Sequence, residues 1–127
     1  MGKTNYLETQ LLNHVLRATP YSAPSTIYVA LYTSAPGEAG GGTEVTGGSY
    51  TRQSVAFTAP APDSVSNTAD VNFAVATADW GHIVAFALLD QAVGGNMLYY
   101  STLTAPRDVL TNDQFRFPLG QLLVAED

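Results

Sequence analysis

IYVALYT, residues Ile27–Thr33, places Ile27, Val29 and Leu31 on one side of an extended chain and Tyr28, Ala30 and Tyr32 on the other. Side chains alternate across a strand, so an apolar set on each side predicts a strand covered on both faces, in the middle of a sheet. Upstream the period changes. Leu7, Leu11, Leu12, Val15 and Leu16 recur at helical spacing and make one apolar stripe. Asn5 followed by Glu8 has the spacing of a capping box, and Thr19-Pro20 ends the pattern because the residue before proline is pushed out of the α region. A helix within residues 4–18 is expected, packing its stripe on the sheet or on another chain.

Downstream, alternation returns at Tyr50–Thr58, Val71–Ala76, His82–Asp90, Met97–Leu103, Gln114–Phe117 and Gln121–Ala125. Gly94–Asn96, between two of the strongest runs, reads as a hairpin turn, since these residues tolerate positive φ. Pro60, Pro62 and Pro106 fall between strands, where a missing amide donor does no harm. Phe115 and Phe117 are expected to face inward with Arg116 outward. The fold class is therefore all-β: an antiparallel β-sandwich or jelly roll of about 7–8 strands with one N-terminal α-helix. One domain spanning 1–127 is expected, with the sandwich over 26–126. No βαβ alternation and no internal repeat is present.

The 127 residues suffice to bury a core without metal or disulfide support. Hydrophobic residues make up 46% and charged residues only 13%, so the surface is built from small and neutral polar side chains. That composition suits a protein covered by neighbours. Five Lys and Arg against eleven Asp and Glu give a net charge of −6. Phosphate backbones are bound through clustered cations, and Lys3, Arg17, Arg52, Arg107 and Arg116 are scattered, so no nucleic-acid partner is expected. With no cysteine there is no thiol nucleophile and no thiolate metal site. The longest apolar run, Ile83–Leu89, is far short of the roughly 20 residues that span a bilayer, and the N-terminus lacks the apolar core of a signal peptide. Tyr6 stands where a myristoylation signal wants Ser or Thr. A soluble protein made in a cytoplasm, with no membrane partner, is expected.

Chemistry-bearing motifs are absent. Gly40–Gly42 is followed by Thr43-Glu44-Val45 and a strand, whereas a phosphate cradle needs Gly-Lys-Ser/Thr leading into a helix. Glu38 and Glu44 add negative charge where phosphate would sit. His82, with Asp79 and Asp90 near in sequence, lacks a nucleophile-elbow serine, and Asp79, Trp80 and His82 read better as a strand-entry cap beside a packed aromatic. The aspartates mostly flank strands, where they favour turns, and no calcium-loop spacing exists. Asp63 to Asp70 is the place where two loop carboxylates come nearest to a metal site. Tyr28, Tyr32, Tyr99 and Tyr100 suit either a carbohydrate-stacking surface or, by their alternation inside strands, core and interface. No catalytic residue, cofactor or metal is expected.

The order LYTSAP, GGGTEV, GxYxRQ, ATADWG, GGN and FRFP, covering the chain from about Tyr6 to Val124, resembles a widespread family of small tailed-bacteriophage virion proteins, often labelled tail-fibre proteins. The resemblance implies a non-enzymatic structural protein located in the virion and made in the bacterial host cytoplasm. Its implied partners are other virion proteins, either the major capsid protein or tail proteins, and it implies a homo-oligomer. The principal expectation is a capsid decoration (cement) protein that binds and stabilises the assembled head, on the small size, the absence of a fibrous repeat and the acidic surface. The alternative is a tail-fibre or tail-tip component involved in host attachment. The expected interface residues are Leu7, Leu11 and His14 on the helix, and Gly40, Gly41, Gly42, Thr43, Tyr50 and Arg52 in and after the glycine-rich loop. The competing reading of Gly37–Ser49 is an exposed, mobile hairpin tip.

Overall fold

The structure is a computed structural model that describes residues 2–125; the expected outer bounds at 1 and at 126–127 lie outside the described residues. In chain order the elements are β1 (Gly2–Lys3), α1 (Asn5–Leu16), β2 (Ile27–Ser34), β3 (Thr43–Glu44), β4 (Gln53–Val55), β5 (Ser64–Ser66), β6 (Val71–Asn72), β7 (Gly81–Leu89), β8 (Met97–Val109), β9 (Arg116–Phe117) and β10 (Leu123–Ala125). The doubly apolar run becomes β2, which lies inside a six-stranded sheet of order β1-β8-β7-β2-β3, with β4 also paired to β2. Pairs β5–β10 and β6–β9 form two small sheets, and every strand pairing is antiparallel.

Each face of β2 meets a different core. Val29 and Leu31 join Ile83, Phe86 and Leu88 of β7 and, from the small sheets and loops, Val71, Phe73, Phe115, Phe117, Leu122 and Val124. This is the space between the layers of an antiparallel β-sandwich. The expected inward Phe115 and Phe117 and outward Arg116 are found. On the opposite face Ala30 and Tyr32 pack with Ala85, Ala87 and Leu89. The side-chain phase of β7 slips between these cores. Ile83 pairs Arg107 but Ala85 pairs Thr102, so Leu103–Pro106 loops out of β8 and Val84 and Ala85 fall on the same side.

That bulge corrects the placement of Pro106 between strands. Pro106 lies inside the long β8, but in its unpaired stretch, where no amide donor is needed. Elsewhere several strands are shorter than alternation suggests. Tyr50–Thr58 is paired only over β4 plus one bridge from Phe57 to Asn67, and Val71–Ala76 only over β6. The described residues form ten strands, because β1, β3 and β5 are short segments whose pairing comes from tertiary context and leaves little periodicity to read.

The helix is shorter than 4–18, and its N-cap is Thr4 instead of Asn5. Thr4 is extended at φ −76° and ψ 159°, and its Oγ1 accepts from Leu7 N at 3.3 Å. The same hydroxyl donates to Met97 O at 2.6 Å, so the cap also stitches α1 to β8. Asn5 is engaged through its backbone, its N–H donating to Glu38 O at 2.8 Å. At the other end Ala18 turns the chain at φ 54°, ahead of Thr19-Pro20.

Candidate functional site

The glycine-rich stretch closes onto its own chain. Glu44 and Arg52 form a bidentate pair, with Nε to Oε2 and Nη2 to Oε1 both at 2.9 Å. Arg52 Nη1 also donates to Gln91 O at 2.9 Å and Gly94 O at 2.8 Å, which ties this region to the β7–β8 hairpin. Tyr50 Oη donates to Glu44 Oε2 at 2.7 Å and accepts from Leu31 N at 3.0 Å. Its ring lies 6.1 Å from Phe73 in a stacked arrangement and meets Trp80 edge-on.

These contacts set the ionisation of the cluster. Burial pushes the Glu44 carboxyl up, yet the hydrogen bonds from Arg52 and Tyr50 and the Arg52 charge outweigh it and hold the group below its ordinary value. Burial and the bond to Glu44 push the Tyr50 phenol far up. Only two glycines here are dictated by crowding. At Gly42, a Cβ would come within 2.5 Å of Ser34 O, and at Gly48 within 2.8 Å of Trp80 Nε1. Trp80 Nε1 donates to Gly48 O at 2.9 Å and seals the loop against the core.

The expected interface residues therefore occupy unlike places. Tyr50 and Arg52 are engaged within the molecule. Gly40 bridges back to Gly37, while Gly41 and Gly42 are exposed along the loop and Thr43 is exposed at the start of β3. On α1, Leu7 is buried and Leu11 half-buried. His14 is exposed, and its Nδ1 accepts from Tyr21 N at 3.1 Å. Beyond them the stripe stands bare: Leu12, Val15 and Leu16 are 58%, 71% and 74% exposed.

Between the start of α1, the Glu38–Gly41 segment and the β7–β8 hairpin lies a cavity of about 550 Å³, floored by Tyr32 and Leu89. Sequence reasoning missed it, because its walls come from four segments far apart in the chain. A Thr just before an apolar helical stripe was the one local sign that Thr4 belongs to a helix start.

The groups weighed for catalysis are dispersed. His82 Nδ1 lies 2.7 Å from Asp108 Oδ1 with both side chains exposed, Asp79 Oδ1 accepts from Thr111 N and Oγ1, and Asp90 accepts from Asn96 N. His82 and Asp90, eight residues apart along β7 and its exit, are separated by roughly 25 Å of extended chain. Asp70 Oδ1 accepts from Leu119 N at 2.7 Å. Among the described residues no group of three or more acidic or His side chains is placed to hold a metal ion. The four tyrosines do not make one surface, since Tyr99 packs against the sandwich core and Tyr32 and Tyr100 against the opposite one. No described helix is long and apolar enough to cross a membrane.

No curated protein matches the sequence. A family model does, described as "Podophage GP4 fiber I protein gp80", and it matches residues 2–125. The match carries a structural role in the phage virion, in contact with other virion components. Spanning nearly all of its length, it shows that the chain belongs to the podophage GP4 fiber I protein gp80 family.

Proposed function

We propose that this protein is a fibre component of a phage tail, seated among other virion proteins through the bare face of α1. The family description supports the fibre alternative over capsid decoration, which was the principal expectation from sequence. One observation carries the seating: Leu12, Val15 and Leu16 lie at i, i+3 and i+4 on one helix face, each more than half exposed, while the other end of the helix is fixed by Thr4 and Leu7. Covering what remains exposed of each of these side chains is worth about 1–2 kcal/mol, so a neighbour that accepts the whole stripe gains substantially. A structural role needs no bond-making group, consistent with carboxylates spent on turns and strand ends. Homo-oligomerisation is part of the same reading, with copies arranged about a symmetry axis of the virion.

Phage carrying Leu12→Glu and Leu16→Glu in this chain provide the test. Particles should lack the protein although folded variant accumulates in the infected cell. Normal incorporation of the variant would refute the seating. Immunogold label on intact virions should fall on the tail; label on the head would overturn the fibre reading in favour of decoration. Light scattering on the purified full chain should give a mass above the monomer.

A further inference from the structure

The cavity beside the helix start has a composition that the structural role leaves unused. Its floor holds Tyr32, whose residue is only 4% exposed. The Tyr32 hydroxyl makes no hydrogen bond to the described residues, and because no buried side-chain polar atom among them lacks a partner, it is reached by solvent. A solvent-reached hydroxyl with no partner in its own chain bonds water, which a ligand hydroxyl can replace. Arg52 lines the same space. Four of its five N–H groups are spent on Glu44, Gln91 and Gly94, which leaves one on Nη2.

We propose that this cavity is a binding site for a neutral sugar ring. The volume of about 550 Å³ lies within the range of roughly 300–1,000 Å³ typical of small-molecule sites. The charge balance selects the ligand class. Glu44 neutralises Arg52, and Glu38 at the rim adds a carboxylate, so a phosphate or carboxylate ligand meets no net positive charge. A bound cation needs several converging oxygen ligands, and among the described residues no group of three or more acidic or His side chains is placed to supply them. A sugar matches both requirements, because its hydroxyls donate and accept in turn while its C–H faces lie on apolar surface, here Tyr6, Leu89 and Met97. Burial and the nearby Glu44 push the Tyr32 pKa up to about 12, so the hydroxyl keeps its proton throughout the physiological range. Gly40 and Gly41 have open space where a Cβ would stand, which leaves the entrance wide.

Saturation-transfer NMR on the full chain with glucose, galactose, N-acetylglucosamine and rhamnose, each alone, tests the site. At least one sugar should receive magnetisation, and Tyr32→Phe, which removes one hydroxyl, should weaken that binding roughly tenfold. Ala39→Trp, at an exposed position on the cavity wall, should abolish it without touching the floor or the fold. Transfer to none of the sugars, or wild-type affinity in Ala39→Trp, would overturn the proposal. Neither result bears on the seating of α1, which is read from incorporation into particles.

Discussion

Two segments were expected from sequence to meet neighbouring chains, and they behave in opposite ways. The glycine-rich stretch up to Arg52 looks like loose surface, yet its side chains turn inward: Tyr50 into the aromatic core, Glu44 onto Arg52, and Arg52 onto two carbonyls of the hairpin. Helix α1 carries a stripe expected to pack on the sheet or on another chain, and three of its large apolar side chains remain in solvent. The difference lies in what each segment brings. A loop with one Arg, one Glu and one Tyr in reach of each other satisfies itself, because directional polar groups close on near partners. An apolar stripe has no such option, and stays uncovered unless a surface large enough arrives.

The contrast breaks first if the aromatic anchor is removed. Phe73 is 1% exposed and touches Tyr50, Trp80, Phe115 and Phe117, so Phe73→Ala should cost about 4 kcal/mol in denaturant unfolding. Arg52→Ala should cost about 2–3 kcal/mol, since it strands Glu44 and two carbonyls together. The same pair carries a pH signature. Glu44 sits below its ordinary value of 4.5, so its contribution is complete above that pH and is lost as pH falls through the lower folded value. The stability gap between wild type and Glu44→Gln should therefore be constant near neutrality and shrink in acid; a gap that widens in acid would contradict the pairing. Leu16→Ser should be the mildest, shifting the unfolding of the isolated chain by no more than about 0.5 kcal/mol. A large loss there would mean that the stripe is part of the fold, and the contrast would vanish.

Where each residue's neighbour is close in sequence, the fold was legible. Alternation in Ile27–Thr33 led to a central strand, and Gly94–Asn96 led to a hairpin, because both depend on local geometry. The Phe-Arg-Phe alternation also held. Thr4 was overlooked in favour of Asn5 because the choice between two adjacent cap residues was made by β8, 93 positions away. The short β1, β3 and β5 left no periodic trace for the same reason. Of the nine residues named for interfaces, Tyr50 and Arg52 are bonded within the chain, and those partners were invisible in the sequence, since Glu44, Gln91 and Gly94 reach them only through the fold. The cavity over Tyr32 was beyond reach altogether, because no single segment contains more than a wall of it.

The looped-out Leu103–Pro106 segment lets one continuous strand serve two cores whose inward positions are out of step. Such a joint absorbs length changes. A residue gained or lost there alters the size of an already irregular ridge, whereas one gained or lost within Phe86–Leu89 would exchange inside for outside along the rest of β7. Drift in chain length among related fibre proteins should accordingly gather at this joint, and a designer wishing to graft a peptide onto the molecule would find its most forgiving splice there.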